Sequence, residues 1–541
     1  MKRIISTILA TTLFVAGTSA QGWDIGGLLI DPNGVTAMDL FNWSHQAGGV
    51  STARATAMGG AMVSLGGDAS SMAINPAGLG MYRQNDISLT PMVGIARSST
   101  KDVSSYEGNS TAKFAIGNFG IVVKAYEGTG NMVAVNLGFG YSRLADLNYK
   151  TSYARLDNAS SIAGVFARQL SNTSLTSADL SAGQNPHFSW WDIDPTYWGA
   201  TLGYKCGLVN DPGGMWQPDM YGANPSVDQY VTATSKGSIG EYDFSIGMNV
   251  MNKLYIGATL GVQSLNQHRD FYYSEEYFYA EGDEPAGEML EGFNYGQGST
   301  VSGTGINLKV GLTYRPVSAL RIGVAFHSPT WYSLDFKYQG SMVSRVYNTL
   351  TNQYITPDPD AYTEVWVDSG RNSWHFRTPA RLMFGASYTL GRTAIFSVDY
   401  ERAWYGNIHT TDTPVGKGAF NGFFKDYFKG SNTIRAGVEV KPVNFMALRA
   451  GYGYSGSMLK NKSVVFSSPV NYKTQYASCG LGFVLSNYFY LDLAYQYAMQ
   501  KYTTAKLFYA TDLVESADDY SGYFTTDIAR HNIILTLGFR F

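Results

Sequence analysis

Alternation with a period of two, repeated along most of the chain, constrains this sequence more than any other feature. The last eleven residues, His531 to Phe541, place Ile533, Leu535, Leu537, Phe539 and Phe541 on one side of an extended strand. His531, Thr536, Gly538 and Arg540 fall mainly on the other. Ile306, Leu308, Val310, Leu312 and Tyr314 alternate in the same way with Asn307, Lys309, Gly311, Thr313 and Arg315. Ile434, Ala436, Val438 and Val440 alternate with Arg435, Gly437, Glu439 and Lys441, and Phe489, Leu491, Leu493 and Tyr495 with Tyr490, Asp492, Ala494 and Gln496. A charge facing hydrocarbon near its midplane costs about 2–4 kcal/mol, so the charged members of these sets are expected to face an interior.

Fourteen such segments can be placed, at 86–97, 112–125, 131–142, 241–251, 254–268, 304–316, 318–338, 375–390, 393–405, 432–442, 444–455, 475–485, 488–501 and 530–541. An even count returns both ends of a closed sheet to the same side. The connections alternate strictly. Short ones carry turn residues, as at Glu127-Gly128-Thr129-Gly130, Met251-Asn252-Lys253, Pro316-Val317, Gly391-Arg392, Pro442-Val443 and Ser486-Asn487. Long ones cover 98–111, 143–240, 269–303, 339–374, 406–431, 456–474 and 502–529. Together these predict an all-β fold, a 14-stranded antiparallel transmembrane β-barrel with short periplasmic turns and long extracellular loops. A soluble β-sandwich, whose strands also alternate, is the competing architecture.

Composition and the two ends favour the barrel. Charged residues make up 15% and aromatic residues 14%, with 39 Tyr and 60 Gly, as suits amphipathic strands with interfacial aromatics and tight turns. Lys2 and Arg3, the apolar run Ile4–Ala16 and Gly17-Thr18-Ser19-Ala20 read as a signal peptide over 1–20, and no later apolar run is long enough for a transmembrane helix. The terminal aromatic Phe541 resembles the signal that hands outer-membrane barrels to their assembly machinery. The expected location is therefore the cell outer membrane of a Gram-negative bacterium, in contact with lipid and lipopolysaccharide and as a monomer. A formal charge of −3 gives no basic surface for nucleic acid. Neither a His-Glu-x-x-His spacing nor a Gly-x-Ser-x-Gly elbow occurs, and Ser516-Ala517-Asp518-Asp519-Tyr520 lacks an EF-hand pattern, so no metal, cofactor or enzyme activity is expected. Cys206 and Cys479 either form a disulfide, which an exported context permits, or are two buried small residues, with Cys479 on a strand.

Residues 21–85 precede the first strand and are too apolar and glycine-rich for a flexible tail. They contain Arg54-Ala55-Thr56-Ala57-Met58-Gly59-Gly60-Ala61, then Gly66-Gly67-Asp68-Ala69-Ser70-Ser71, then Asn75-Pro76-Ala77-Gly78-Leu79. This succession resembles the FadL/TodX family of outer-membrane channels for long-chain fatty acids and other hydrophobic compounds. The position of the motif, the fourteen strands, the Trp374-to-Pro379 segment and the aromatic end agree with that resemblance.

The resemblance implies that 21–85 is a hatch plugging the lumen of a barrel over 86–541. Asn75, Pro76 and Ala77 would be hatch residues, with Gly59 and Gly60 in the same unit. On the residues alone, Asn75-Pro76 also reads as an ordinary turn before the first strand. The family mechanism is capture in an outer groove, hatch rearrangement and sideways exit through the wall. Gly138 and Gly140 in the third strand are candidates for that lateral gate, or else pack against the hatch or a Tyr. The extracellular insert 143–240 carries Phe188, Trp190, Trp191, Tyr197, Trp198 and Trp216 among Leu170, Leu175, Leu180 and Leu202, a composition for short helices and an apolar capture groove, or for Trp anchors in the outer leaflet. Arg435 and Arg449, with Glu439, Asp492, Asp399 and Glu401, either meet a ligand carboxylate or hold plug and wall together. A passive channel for hydrophobic small molecules or fatty acids is the expected function. The alternative is a non-transporting docking barrel like the PorV components of type IX secretion.

Overall fold

Each alternating segment forms a strand, and the strands close on themselves. The computed structural model describes residues 30, 32, 34–35, 37–46, 48–101, 103–158, 160–180, 190–218, 226–281, 287–355, 362–365, 373–412, 419–460, 473–501 and 525–541. The expected leader 1–20, Phe188 and the 516–520 segment lie outside these. The barrel strands are β1 Asp86–Lys101, β2 Asn109–Glu127, β3 Met132–Asp146, β4 Ser226–Val250, β5 Leu254–Phe278 and β6 Glu288–Val317. β7 comes in two pieces, Leu320–His327 and Trp331–Asn348, and so does β8, Ser373–Arg377 and Arg381–Leu390. β9 Ala394–Trp404, β10 Gly430–Val443, β11 Met446–Ser455, β12 Lys473–Val484, β13 Phe489–Lys501 and β14 Thr525–Arg540 complete the closed antiparallel barrel of 14 strands. Closure is between β1 and β14, from Asp86 opposite Arg540 to Lys101 opposite Thr525.

The short turns follow their residues. Met251 and Asn252 both have φ of 56°, as a type I′ hairpin requires at its two central positions, and the Asn249 carboxamide accepts from the Asn252 amide at 3.0 Å.

Several strands run far beyond their expected ends, and their two faces change character as they do so. Along β5 the outward side chains are Ile256, Leu260 and Val262, then Ser264, Asn266, His268 and Asp270, while the inward ones change from Thr259, Gln263 and Gln267 to Phe271, Tyr273 and Tyr277. The apolar-outside pattern used to place strands ends at Val262. Above it the alternation continues with the sides reversed, so the expected long connection 269–303 is mostly hairpin. The inward apolar faces form a large core with α1 Ala37–Ser44 and further helices, among them Ile162–Ser171, Ser177–Leu180, Trp198–Lys205 and Ala419–Tyr427. This outer assembly caps the barrel. Glu275 fixes one helix within it, accepting from the Ile162 amide at 2.8 Å and the Ser161 hydroxyl at 2.5 Å.

The outward belt is continuous with the sequence alternation: Ile306, Leu308, Val310, Leu312 and Tyr314 are all exposed, and Asn307, Lys309 and Thr313 are buried inside. In β14, parity places His531 with Ile533 on the outer face, where its imidazole meets the Tyr495 hydroxyl at 2.7 Å, while Asn532, Ile534 and Thr536 point inward. Cys206 is buried in the outer assembly, its thiol 3.4 Å from the Met342 carbonyl, and Cys479 is exposed on β12; no disulfide joins them.

Candidate functional site

The segment ahead of β1 lies inside the barrel, and its shape follows from a few residues. Thr52 caps α2, Ala53–Ala57, its hydroxyl accepting from the Ala55 amide. The helix ends where Gly59 and Gly60 take φ of 64° and 71°, with Gly60 N donating to Ala55 O and Gly59 N to Thr56 O at 2.9 and 3.0 Å. That is a Schellman cap, which demands glycine at its left-handed position. Farther on, α3 Ser71–Ile74 leads into Asn75, whose side chain accepts from the Ala77 amide at 3.1 Å and so caps the 3-10 turn Pro76–Met81. Pro76 occupies the first turn, where its missing N–H leaves no bond unmade.

The wall meets this hatch with glycine. A Cβ on Gly257 would overlap Pro76, one on Gly311 the Asn75 carboxamide, and one on Gly451 the Gly59 amide. On β3, Cβ atoms at Gly138 and Gly140 would lie 2.8 Å and 2.6 Å from Met72. Inward glycines thus let hatch backbone press against strand backbone almost all the way round. Through both residues β3 remains paired with β2 and β4.

Hydrogen bonds fasten what the glycines admit. Asn75 donates to Val63 O at 2.6 Å, Asp399 accepts from the Val63 amide at 2.8 Å, and Asn136 donates to Leu79 O at 2.7 Å. Toward the short-turn end, Arg54 of the hatch and Arg449 of β11 share Glu439 at 3.0 and 2.7 Å, and Arg449 also pairs with Asp492 at 2.5 Å. These groups line a polar cavity of ≈170 Å³ with Asp68, Tyr490 and Arg540.

A second cavity of ≈120 Å³ lies between hatch and wall. Apolar groups Val50, Ala55, Ile74 and Met383 share its lining with Gln46, Thr56, His327, Arg381, Glu401, Arg435, Tyr476 and Gln496. Glu401 stands between two guanidiniums, Arg435 at 2.5 Å and Arg381 at 3.8 Å, which leaves this trio with one excess positive charge. Beside it, partly buried His45 bridges the Tyr405 hydroxyl at 2.9 Å and Thr474 at 3.2 Å. Burial, with the Arg381 charge adding to it, holds the His45 imidazole down at about 4.

This architecture matches solved structures. The toluene transporter TodX of P. putida superimposes with a TM-score of 0.51 over 92% of this chain and 99% of that one, at 13% identity. The chain has the FadL/TodX fold. A Pseudomonas aeruginosa FadL homologue aligns at 11% identity over 91% of this chain and 98% of its own, TM-score 0.49. The Ralstonia pickettii toluene transporter TbuX aligns at 14% over 92% and 99%, TM-score 0.48. No protein-family model and no curated protein sequence matches the chain.

Within that fold the sequence-predicted residues separate. Arg435 lies on the ≈120 Å³ cavity, whereas Arg449 lies on the ≈170 Å³ one, engaged with Glu439 and Asp492. Trp198 is buried in the outer assembly, its indole N–H donating to Trp190 O and Ile193 O at 3.1 Å each. Trp216 donates to Leu175 O at 2.9 Å and stands edge-on to Tyr204. Trp190 packs against the same core, and Trp191 falls in the same short 3-10 turn, Trp190–Asp192. His45, His327, Arg381 and Tyr476, which line or adjoin the cavity, escaped sequence reasoning. For the last three, strand parity was the available signal, since they share the inward side with the wall glycines.

Proposed function

We propose that the chain is an outer-membrane channel for passive uptake of hydrophobic compounds. The observation that carries this reading is the ≈120 Å³ cavity of mixed lining, held inside a barrel whose outer belt is apolar and whose mouth is capped by an aromatic-rich assembly. A belt of exposed Leu, Ile, Val and aromatic side chains is stable only against hydrocarbon, so the belt lies in the bilayer, with lipopolysaccharide around the strand extensions. A molecule poorly soluble in that polar leaflet needs an enclosed path. One solved structure with which the fold agrees is of a toluene transporter, in keeping with this use.

The finer steps belong to the same proposal. Ligand is captured beneath the outer assembly, where Trp190, Trp198 and Trp216 shape the aromatic cap. It moves into the cavity, where the excess charge of Arg381 and Arg435 over Glu401 suits a carboxylate such as a fatty-acid head. Passage then needs local rearrangement of the hatch about Asn75 and Gly59-Gly60, because the glycine contacts fit it too closely for wholesale withdrawal. The unbroken pairing of β3 across Gly138 and Gly140 favours the second reading, a docking barrel without transport.

Uptake separates the two. Cells lacking their own hydrophobic-compound channel and expressing this chain are expected to accumulate radiolabelled toluene or oleate faster than vector controls, with Arg435→Ala lowering oleate uptake more than toluene uptake. No accumulation of either, with secreted protein co-purifying, would replace the channel by the docking barrel.

A further inference from the structure

On the outer half of β6 the side facing away from the lumen is nearly bare. Gly292, Gly296 and Gly298 fall on that side, while β5 and β7 on either flank carry full side chains. A furrow therefore runs along β6 on the outside of the barrel. Its two ends are closed. A Cβ on Gly292 would stand 2.9 Å from a guanidinium nitrogen of Arg345, which itself reaches Glu276 at 3.6 Å, and a Cβ on Gly298 would stand 2.9 Å from the Gln339 side chain. Between them, a Cβ on Gly296 would find the Ser341 hydroxyl at 3.3 Å and the edge of the Tyr272 ring at 3.6 Å, with an open volume of ≈310 Å³ above.

The register explains the lining. Tyr272, Gly296 and Ser341 form one cross-strand row, and Ser274, Asn294 and Val343 the next. Tyr230 of β4 lies opposite Ser274 and extends that row. Tyr272 is 60% exposed and Val343 64%, and no charged side chain belongs to the lining. This combination selects a class of ligand. The negative face of a tyrosine ring attracts the C–H bonds of a sugar ring, and the carboxamide and hydroxyls can both donate to and accept from sugar hydroxyls. An alkyl chain would leave those polar groups without partners, and an anion would meet no cation in the lining.

The level of the furrow narrows the source. Tyr272 stands ten residues beyond Val262, where the apolar belt ends on β5. At about 3.3 Å per residue and a tilt of about 40°, that is about 25 Å above the belt edge. The flanking rows agree, since Asp228 lies opposite Glu276 on one side and Asp270 opposite Thr234 on the other, charges that exclude hydrocarbon. In an outer membrane this level is occupied by the sugar chains of lipopolysaccharide.

We infer that the furrow over Gly296 is a docking site for a neutral stretch of the lipopolysaccharide sugar chain, one ring seated on Gly296 against Tyr272, with its hydroxyls on Asn294, Ser274 and Ser341. The site rests on the outer-membrane placement proposed above and is independent of what passes through the lumen. Phe271 and Phe293, inward on the same strands and buried in the outer core, separate the two.

The test uses the full chain in detergent and the polysaccharide that mild acid releases from the lipopolysaccharide of the bacterium encoding it. Saturation-transfer NMR is expected to show sugar-ring protons in contact with the protein. Gly296→Leu, which fills the furrow, and Tyr272→Ala, which removes its wall, should each weaken polysaccharide binding at least tenfold, whereas Asn266→Ala, exposed on β5 outside the lining, should leave it unchanged. An unaltered unfolding midpoint in each variant shows that the barrel is intact. No transfer to the polysaccharide, or binding that survives both furrow substitutions, overturns the site. So does radiolabelled oleate that binds the chain and is lost with Gly296→Leu, which would make the furrow a capture groove for apolar solutes. Fractionation of the same bacterium separates the two levels of the account: a chain absent from the outer membrane overturns the placement and the site together, whereas an outer-membrane chain that binds no polysaccharide overturns the site alone.

Discussion

Gly451 of β11 lies directly against Gly59 of the hatch, so close that a Cβ on Gly451 would overlap the Gly59 amide nitrogen. Neither backbone can retreat. Gly59 is held by its left-handed cap and by the Tyr476 hydroxyl, which donates to its carbonyl at 3.3 Å, and Gly451 is held in the sheet. Gly451→Val is therefore expected to destabilise the plugged barrel by at least the roughly 1–3 kcal/mol typical of overpacking. The midpoint of heat-induced unfolding in detergent should fall, while Gly130→Ala, in a turn with nothing within 4 Å, should leave it unchanged.

Asn75 joins three parts of the molecule through one carboxamide. It donates to Val63 O and Thr313 and accepts from Ala77 N. Asn75→Ala leaves buried backbone groups unpaired, at about 1–3 kcal/mol. Hydrogen exchange should quicken for hatch amides near Val63 and Ala77 while strand amides in β1 and β14 remain protected. Uniform acceleration would mean that Asn75 stabilises the barrel rather than the hatch.

The outward belt makes a prediction about depth. Leu308→Arg should lower the stability of the barrel in bilayers by about 2–4 kcal/mol, whereas Asn266→Arg, on the outer face above Val262, should have little effect. Refolding titrations into phospholipid vesicles give both values directly. Equal penalties would contradict the position of the belt edge.

His45 gives the hatch a pH dependence whose sign is fixed. Its folded value, about 4, lies below the ordinary 6.5, so the neutral ring is the one the site accommodates. Its contribution is complete above pH 6.5 and is lost as pH falls from 6.5 toward 4. Amide exchange in α1 should accelerate across that window. His45→Gln, which keeps groups able to meet Tyr405 and Thr474, should flatten the response.

How much of this was legible depends on where a residue sits. The belt was readable because Ile306 to Tyr314, exposed, alternate strictly with Asn307, Lys309 and Thr313, buried inside. The outer halves of β5 and β6 were not, because beyond Val262 Ser264, Asn266 and His268 face outward and the packed core lies inside, so Phe271 and Tyr273 reverse the rule without breaking the period. His531 was assigned to the wrong side since its polarity outweighed its parity. Asn75 and Gly59-Gly60 were singled out through a motif, whereas what the structure shows at them, a cap and a backbone contact, is local chemistry. Arg381 and His327 were missed because they become a site only when β7 and β8 break beside the hatch, a long-range event that Pro329 and Pro379 signal individually but not as a pair.

The most direct measurement of the central claim is the position of a heavy-atom hydrophobic probe in crystals of the protein grown from lipid and soaked with 4-bromotoluene. The channel account predicts anomalous bromine density in the cavity bounded by Ile74, Met383, His327 and Arg435, diminished by Ala55→Trp, which fills that space. Bromine density confined to the outer apolar belt, with the cavity empty or holding only ordered water, would contradict it.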